Sequence, residues 1–589
     1  MRPGVSSNRT RDRRADGRLD PVVAVLVDSL RSEYLLAKTT VLRAVEHWGM
    51  PHKVIDLAST EDPLRAIGRT GVILIAQEYL GTSLAASLED LIRHVEAGAG
   101  LVNLDHALMS YIDGYRALLG IEGDVEEHSV EALTVSDLPH TVLNGHRPGD
   151  VTRLKQPLPG LRGGGVEDDM LMIGDSGESL LSVHRVGQGR LVQWRVSPKL
   201  WNERYLGFAH GLDGLLWRSI IWSGPKPFAI NAMRPFVRFR FDDCNGHWRD
   251  PVDLAFVDEF TKRGHVPSVC FCLRALTPDG AQHAAALQRA GAIDLAPHTL
   301  APATSMFYGD SGGEYSSARF AELFAELDDL RRRWDVSWST ILSDHDHEWS
   351  RRAVPFLRDR GIRFKMNITL PGERWAEEHV DWRPGPFGSM NYALDWLPGD
   401  LSDFFVVFNH HPSFETARAY IDGDHRFIYH RPGGFGRQQW DFLNGLVRGA
   451  DARAKDLDGV VDRIVEHTRI GLDARFFGGS ISHSHFTRHL APREWAYLLD
   501  RADRRLADVE QIPASYDEIA GYASARAGTR IVSARRGDDR IEIGLAGVSR
   551  RSLNLSVFDE RDGELVRREA EIPCFDSECT VEVGLEIPR

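Results

Sequence analysis

Residues 237–246, with the sequence V-R-F-R-F-D-D-C-N-G, decide how the centre of this chain folds. An apolar, β-prone run ends there in two adjacent carboxylates, Asp242 and Asp243. Acidic side chains are rarely buried unless they are paired or bind a ligand, so this strand end indicates a functional site. The alternative is a polar turn after the strand, since Asp, Asn and Gly all favour turns.

Two arginines make the same strand unusual. Side chains alternate along a strand, so Arg238 and Arg240 share one face with Asp242, while Asp243 lies on the other face with the phenylalanines. A buried arginine is costly unless it is paired. We therefore expect acidic partners inside the protein beside this strand, or an opening in the wall that it forms.

Polar residues recur where other apolar runs of this region end, and helical patterns separate these runs. In a (β/α) barrel the carboxyl ends of the strands form one rim, so separate strands can contribute ligands to one site. Residues 229–520 therefore predict an α/β domain, a (β/α) barrel of about seven units. The polar groups at its predicted strand ends are His298, the cluster of His345, His347 and Glu348, the pair His410 and His411, and the pair His483 and His485.

The preceding residues, 21–228, predict a separate open α/β sheet. Apolar runs at 22–28, 53–57, 71–76 and 101–104 alternate with helical patterns at 30–47 and 84–97, and a hairpin surrounds the turn G-Q-G-R. This layout resembles the class I glutamine amidotransferase-like, flavodoxin-like domains, including the ThuA-type versions. Active members carry a cysteine nucleophile, but the matching stretch V-N-L-D-H-A-L has none. The resemblance therefore implies a non-catalytic binding or scaffolding domain.

The two ends of the chain differ from these domains. Residues 1–20 are rich in arginine and predict a disordered tail, and short apolar runs in 521–589 predict an accessory β-sandwich. With no secretory signal apparent, we expect a cytoplasmic protein. Cys270 and Cys272, in the run V-P-S-V-C-F-C-L, are most simply core thiols.

Overall composition narrows the class of partner. The 589 residues carry a formal net charge of −14, which argues against a general nucleic-acid binder. No apolar run approaches the roughly 18 residues of a membrane span. The oligomeric state is not indicated.

The stretch F-R-F-D-D-C-N-G resembles the first motif of the polysaccharide deacetylase (NodB-homology) superfamily, of which this chain would be a divergent member. In that family the first Asp is the general base and the second binds the metal, which implies Asp242 as base and Asp243 as ligand. The stretch L-A-P-H-T-L-A-P resembles the second motif and implies His298 as a ligand. Pro302, however, stands where the family has a second metal-binding histidine.

Later motifs supply the remaining residues that the resemblance implies. The cluster S-D-H-D-H-E-W offers His345, His347 and Glu348 as replacement metal ligands. The stretch R-P-G-P-F-G implies Arg383 as the partner of the catalytic Asp. The stretch I-S-H-S-H-F implies His483 or His485 as the general acid.

Together these residues imply a metal-dependent hydrolase that removes N- or O-linked acetyl groups from a carbohydrate. A divalent ion, with zinc suited to carboxylate and imidazole ligands, would lower the pKa of the water that serves as nucleophile toward roughly 7. Two alternatives stay open. The barrel could be a catalytically inactive glycan-binding domain, because Pro302 removes a ligand, or the substrate could be another amide.

Overall fold

A computed structural model gives the structure of the protein. It describes residues 19–108, 113–119, 121, 123–164, 170–202, 205–208, 211–244, 254–300, 306–307, 314–342, 350, 352–367, 394–396, 405–408, 442–443, 446–447, 455–537 and 539–584.

A nine-stranded sheet forms the N-terminal part of the protein. Five strands pair in parallel and the other four extend the sheet in antiparallel fashion, which confirms an open α/β sheet with a hairpin around G-Q-G-R. The sheet order is β2-β1-β3-β4-β9-β8-β7-β5-β6, with β1 (Asp20–Val27), β2 (His52–Asp56), β3 (Thr70–Ile75), β4 (Gly100–Asn103), β5 (Val125–Val135), β6 (Val151–Gly163), β7 (Met170–Ile173), β8 (Ser179–Val186) and β9 (Gly189–Trp194). Its similarity to amidotransferase-like domains stays a prediction.

The helices of this part are shorter than the sequence pattern predicts. The pattern at 30–47 gives two helices instead of one, because Thr40 leaves the helical conformation (φ −121°, ψ −88°) and its hydroxyl donates to the carbonyl of Leu36 at 2.6 Å. The helices are α1 (Tyr34–Thr39), α2 (Val41–His47), α3 (Pro63–Ile67), α4 (Gly81–Leu84), α5 (Leu88–Glu96), α6 (Asp113–Leu118) and α7 (Asp213–Ser223).

The central part contains two further sheets made mostly of parallel strands. After β10 (Phe228–Ile230), the strands are β11 (Phe236–Cys244), β12 (Ser268–Cys272), β13 (Asp294–Thr299), β14 (Ile341–Leu342), β15 (Phe364–Asn367), β16 (Leu394–Trp396), β17 (Phe405–Phe408), β18 (Phe477–His483) and β19 (Ile512–Pro513). One sheet has the order β13-β12-β11-β18, with β19 also paired to β11, and the other has the order β14-β15-β17-β16. The barrel that would join them stays a prediction.

Helices follow most of these strands, as the alternating pattern predicts. Strand β11 packs one face against them, where Phe239 and Phe241 contact Phe260, and Phe241 also contacts Trp495. This aromatic layer leaves the arginine-bearing face of β11 on the opposite side. The helices are α8 (Phe256–Thr261), α9 (Pro278–Arg289), α10 (Ser317–Trp334), α11 (Val354–Arg358), α12 (Leu457–Asp473), α13 (Ser484–Thr487), α14 (Pro492–Arg505) and α15 (Tyr516–Ala527).

The C-terminal part consists of antiparallel strands, as predicted. Its strands are β20 (Thr529–Arg536), β21 (Arg540–Ser549), β22 (Leu553–Arg561), β23 (Glu564–Ile572) and β24 (Phe575–Gly584). Two three-stranded sheets form, with the orders β10-β22-β23 and β20-β21-β24. Strand β10 lies at the predicted boundary between the first two domains, yet it pairs with this C-terminal part.

The end of α12 joins the central part to the N-terminal sheet. The carboxylate of Asp473 accepts hydrogen bonds from Arg218 Nη1 at 2.8 Å and from the backbone N–H of Gly214 at 2.9 Å. Trp217 Nε1 donates to the carbonyl of Asp473, and Trp48 Nε1 donates to the carbonyl of Ala474. Burial alone would raise the pKa of Asp473, but the charge of Arg218 holds it below its usual value. None of the helices described above is long and apolar enough to cross a membrane.

We expect Asp473→Ala to lower the free energy of unfolding by roughly 3 kcal/mol, because it leaves the charge of the buried Arg218 unpaired. Denaturant unfolding of the full chain measures this change. The matched control is Glu126→Ala, which breaks an exposed pair with Arg162 and should cost much less. Equal losses in the two variants would contradict the importance of the α12 junction.

The buried imidazole of His265 should make the protein less stable in acid. Burial lowers the pKa of His265 to about 4 in the folded protein. In the unfolded chain the imidazole is protonated near pH 6.5, so the unfolded state binds a proton between pH 6.5 and 4 that the folded state does not bind. Stability is therefore full above about pH 6.5 and falls as the pH drops toward 4, by about 3 kcal/mol from this residue. We expect His265→Phe to remove this part of the pH dependence and the exposed control His283→Phe to keep it, as measured by denaturant unfolding at each pH.

Candidate metal centre

The carboxyl end of β11 is bent where its two aspartates lie. The register between β11 and β12 shifts between Phe241 and Cys244, and Asp243 adopts a left-handed backbone conformation with φ 53°. A non-glycine residue in this region is uncommon and indicates a local constraint. The hydroxyl of Ser484 donates to the carbonyl of Asp243 and helps to hold this conformation.

Asp242 is buried beside a guanidinium. Its side chain accepts a hydrogen bond from Arg240 Nε at 2.5 Å, and only 3% of the residue is exposed. Burial alone would raise the pKa of Asp242, but the charges of Arg240, His298 and His483 outweigh it and hold the pKa below its usual value. Asp242 is therefore ionised at neutral pH.

The second arginine of β11 is paired as well. Arg238 Nη2 lies 3.5 Å from Asp294 Oδ1, at the start of β13, and its guanidinium lies over the ring of Tyr516. These contacts confirm the prediction that the arginine-bearing face of β11 meets acidic partners in the interior. Burial nevertheless lowers the pKa of Arg238 and raises that of Asp294, which shows that desolvation outweighs their weak mutual attraction.

Strand pairing brings two predicted histidines to the aspartate pair of β11. His298, at the end of β13, is 3% exposed, and its Nε2 lies 3.2 Å from Asp243 Oδ1. His483, the last residue of β18, pairs in register with Asp242 on β11 and is 7% exposed. Asp243 is the most accessible of the group, with a quarter of its side chain exposed.

Cys270 also belongs to this group, although the sequence indicated only a core thiol. Asp242, Cys270 and His298 each offer one donor atom, and these atoms all lie within 4.8 Å of one another. Carboxylate, thiolate and imidazole are the donor types that zinc takes in proteins, so the residues fit a divalent metal. The sequence signal that could have identified Cys270 is its position in β12, the strand that follows β11 along the chain.

The other predicted site residues keep their roles as predictions. His485 lies in the short helix α13 directly after His483. The remaining ones lie outside the described residues: Arg383, His345, His347, Glu348, His410 and His411.

A second buried polar cluster lies at strand ends of the N-terminal sheet. Glu78 Oε1 accepts a hydrogen bond from the hydroxyl of Ser197 at 2.6 Å and lies 3.0 Å from His106 Nδ1. Asp105, in the stretch V-N-L-D-H-A-L, is fully buried, and burial raises its pKa to about 6. The serine hydroxyl is thus directed to a carboxylate, an arrangement that differs from a serine activated by histidine.

The chain was compared with known proteins. No family model and no curated protein sequence matches it. Similar solved structures include the family 4 carbohydrate esterase from Streptomyces lividans in complex with acetate, at 8% identity and TM-score 0.24, covering 48% of this chain and 93% of that one. A Mycobacterium smegmatis protein assigned as a polysaccharide deacetylase shows 10% identity and TM-score 0.30, with 46% and 76% covered.

An exo-β-1,4-mannosidase from Opitutaceae bacterium strain TAV5 shows 14% identity and TM-score 0.23, covering 34% of this chain and 35% of that one. The three proteins are named for different reactions on carbohydrates. At these identities and TM-scores the likeness assigns no function to this chain. The function has to be inferred from the side chains of the chain itself.

Arg240→Met leaves the carboxylate of Asp242 buried without its guanidinium. We expect the metal-free protein to lose roughly 3–5 kcal/mol of unfolding free energy. The double variant Arg240→Met/Asp242→Asn should lose less than the sum of the two single changes, because it removes both charges. Denaturant unfolding measures each variant, and Arg274→Met, which breaks an exposed pair with Glu326, is the control. A loss no larger than that of the control would contradict the pairing.

Proposed function

We propose that this protein is a metal-dependent hydrolase that removes acetyl groups, linked through nitrogen or oxygen, from a carbohydrate. The observation that carries the proposal is the meeting of Asp242, Asp243, His298 and His483 where β11, β13 and β18 end. The acetylated carbohydrate as substrate follows from the resemblance of F-R-F-D-D and L-A-P-H-T to deacetylase motifs.

The metal would be held by His298 together with one carboxylate of the aspartate pair. A divalent ion bound there would polarise an acyl carbonyl and lower the pKa of a water molecule. The resemblance implies Asp243 as the ligand and Asp242 as the general base. Their different surroundings support a division of roles, since one carboxylate is buried against Arg240 and the other is partly exposed.

His483 would act on the leaving group. It lies across the β11–β18 pairing from Asp242, so one side chain can donate a proton while an aspartate accepts one. An amide nitrogen needs this proton to leave as an amine. Arg383 and His485 are further candidates for positioning and proton transfer.

A glycan-binding protein without catalysis is the second candidate. The Arg240–Asp242 salt bridge favours it, because the guanidinium already neutralises Asp242 without any metal. The two candidates differ in metal content. Stoichiometric metal supports the hydrolase, and carbohydrate binding without metal or turnover supports the second candidate.

We expect His298→Ala to lose bound metal and acetate release. The imidazole of His298 is a ligand whether the metal-binding carboxylate is that of Asp242 or that of Asp243. The loss should exceed the roughly 10–100-fold that removal of a supporting residue causes. Elemental analysis and acetate release from N- and O-acetylated oligosaccharides measure the two properties. The control is His283→Ala on the exposed side of α9.

Unchanged metal content together with undiminished acetate release in His298→Ala would contradict the proposal. Turnover of other amides, but not of acetylated sugars, would support a metal-dependent hydrolase and contradict the carbohydrate substrate.

A further inference from the structure

We infer that Cys270 is a ligand of the metal, in a donor set formed by Asp242, Cys270 and His298. The inference rests on the metal centre of the proposed function and deepens it by naming the donor that Pro302 fails to supply. It also exchanges the two aspartates, with Asp242 on the metal and Asp243 as the group that accepts a proton.

Strand order supports this donor set. Strand β12 lies between β11, which carries Asp242, and β13, which carries His298. Cys270 is opposite Ala296 of β13, two residues before His298, and the β11–β12 register places it beside the end of β11. A residue of the middle strand can therefore contact donors from both neighbours.

The distances suit a tetrahedral ion. The three donor atoms lie within 4.8 Å of one another. Bonds of about 2.0–2.3 Å at tetrahedral angles place ligand atoms about 3.5 Å apart, so small side-chain movements bring the three donors onto one ion. All three residues are at most 3% exposed, so their donor atoms are shielded from solvent.

Asp243 then has the geometry of a supporting carboxylate. A metal-binding histidine usually donates its other ring N–H to a carboxylate, and His298 Nε2 lies 3.2 Å from Asp243 Oδ1. In that tautomer Nδ1 carries the lone pair for the metal. Asp243 is also the more exposed of the two carboxylates, whereas Asp242 is buried and paired with Arg240.

Cobalt substitution of the full-length protein tests the ligand. A thiolate bound to Co²⁺ gives an intense near-ultraviolet charge-transfer band that oxygen and nitrogen ligands do not give. We expect this band in the wild type and in Cys272→Ser and Cys244→Ser, which replace the other two buried thiols of this sheet. We expect Cys270→Ser to lose the band and to bind Co²⁺ at least tenfold more weakly.

Two outcomes would overturn the inference. One is stoichiometric cobalt without the band in the wild type, and the other is a band that survives in Cys270→Ser. X-ray absorption of the zinc-loaded wild type gives the same answer if Cys270→Ser does not fold, since it should show one sulfur at about 2.3 Å. Nitrogen and oxygen ligands alone would exclude Cys270.

Failure of the proposed function looks different. A thiolate band without acetate release would support Cys270 as a ligand and contradict the deacetylase activity. A protein that binds no metal would contradict both proposals.

Two further variants distinguish the roles of the aspartates. Asp242→Asn should lower metal affinity, while Asp243→Asn should keep the metal and the band but lose acetate release, and the reverse pattern would restore the order that the resemblance implies.

Discussion

The salt bridge between Arg240 and Asp242 is the interaction on which the centre of this protein depends. Strand β11 carries two arginines through the interior, and a buried guanidinium is tolerated only beside an anion. The phenylalanines of the opposite face pack under the helices and leave the arginines no other orientation. The position of Asp242 is thus determined by packing and charge together, and every donor of the candidate metal centre is arranged around it.

A second constraint links this centre to the rest of the chain. Asp473 and Ala474, at the end of α12, accept hydrogen bonds from Arg218, Trp217 and Trp48 of the N-terminal part. Helix α12 leads directly into β18, whose last residue is His483. The N-terminal part therefore contacts the end of the helix that leads into the strand carrying His483. Its scaffolding role stays a prediction.

Local patterns predicted many elements and failed at particular places. The strands and the hairpin of the N-terminal sheet follow from their apolar runs, but the long strands β5 and β6 carry mixed polar residues and gave no clear period. The helix predicted at 30–47 is broken because Thr40 bonds back to Leu36. The sequence predicts a domain boundary at the position of β10, but this strand pairs with β22, more than 300 residues away. Such long-range pairing leaves no local signal.

The amino-acid sequence alone shows that β11 ends in two adjacent carboxylates, that its arginines need anions, and that histidines lie at the ends of two other apolar runs. These features are properties of neighbouring residues, and alternation or a strand end is enough to show them. The folded protein is needed to show which anion pairs with Arg240, that His298 contacts Asp243, and that Cys270 lies beside Asp242. Those relations depend on strand order and register, which are set by burial across the whole sheet.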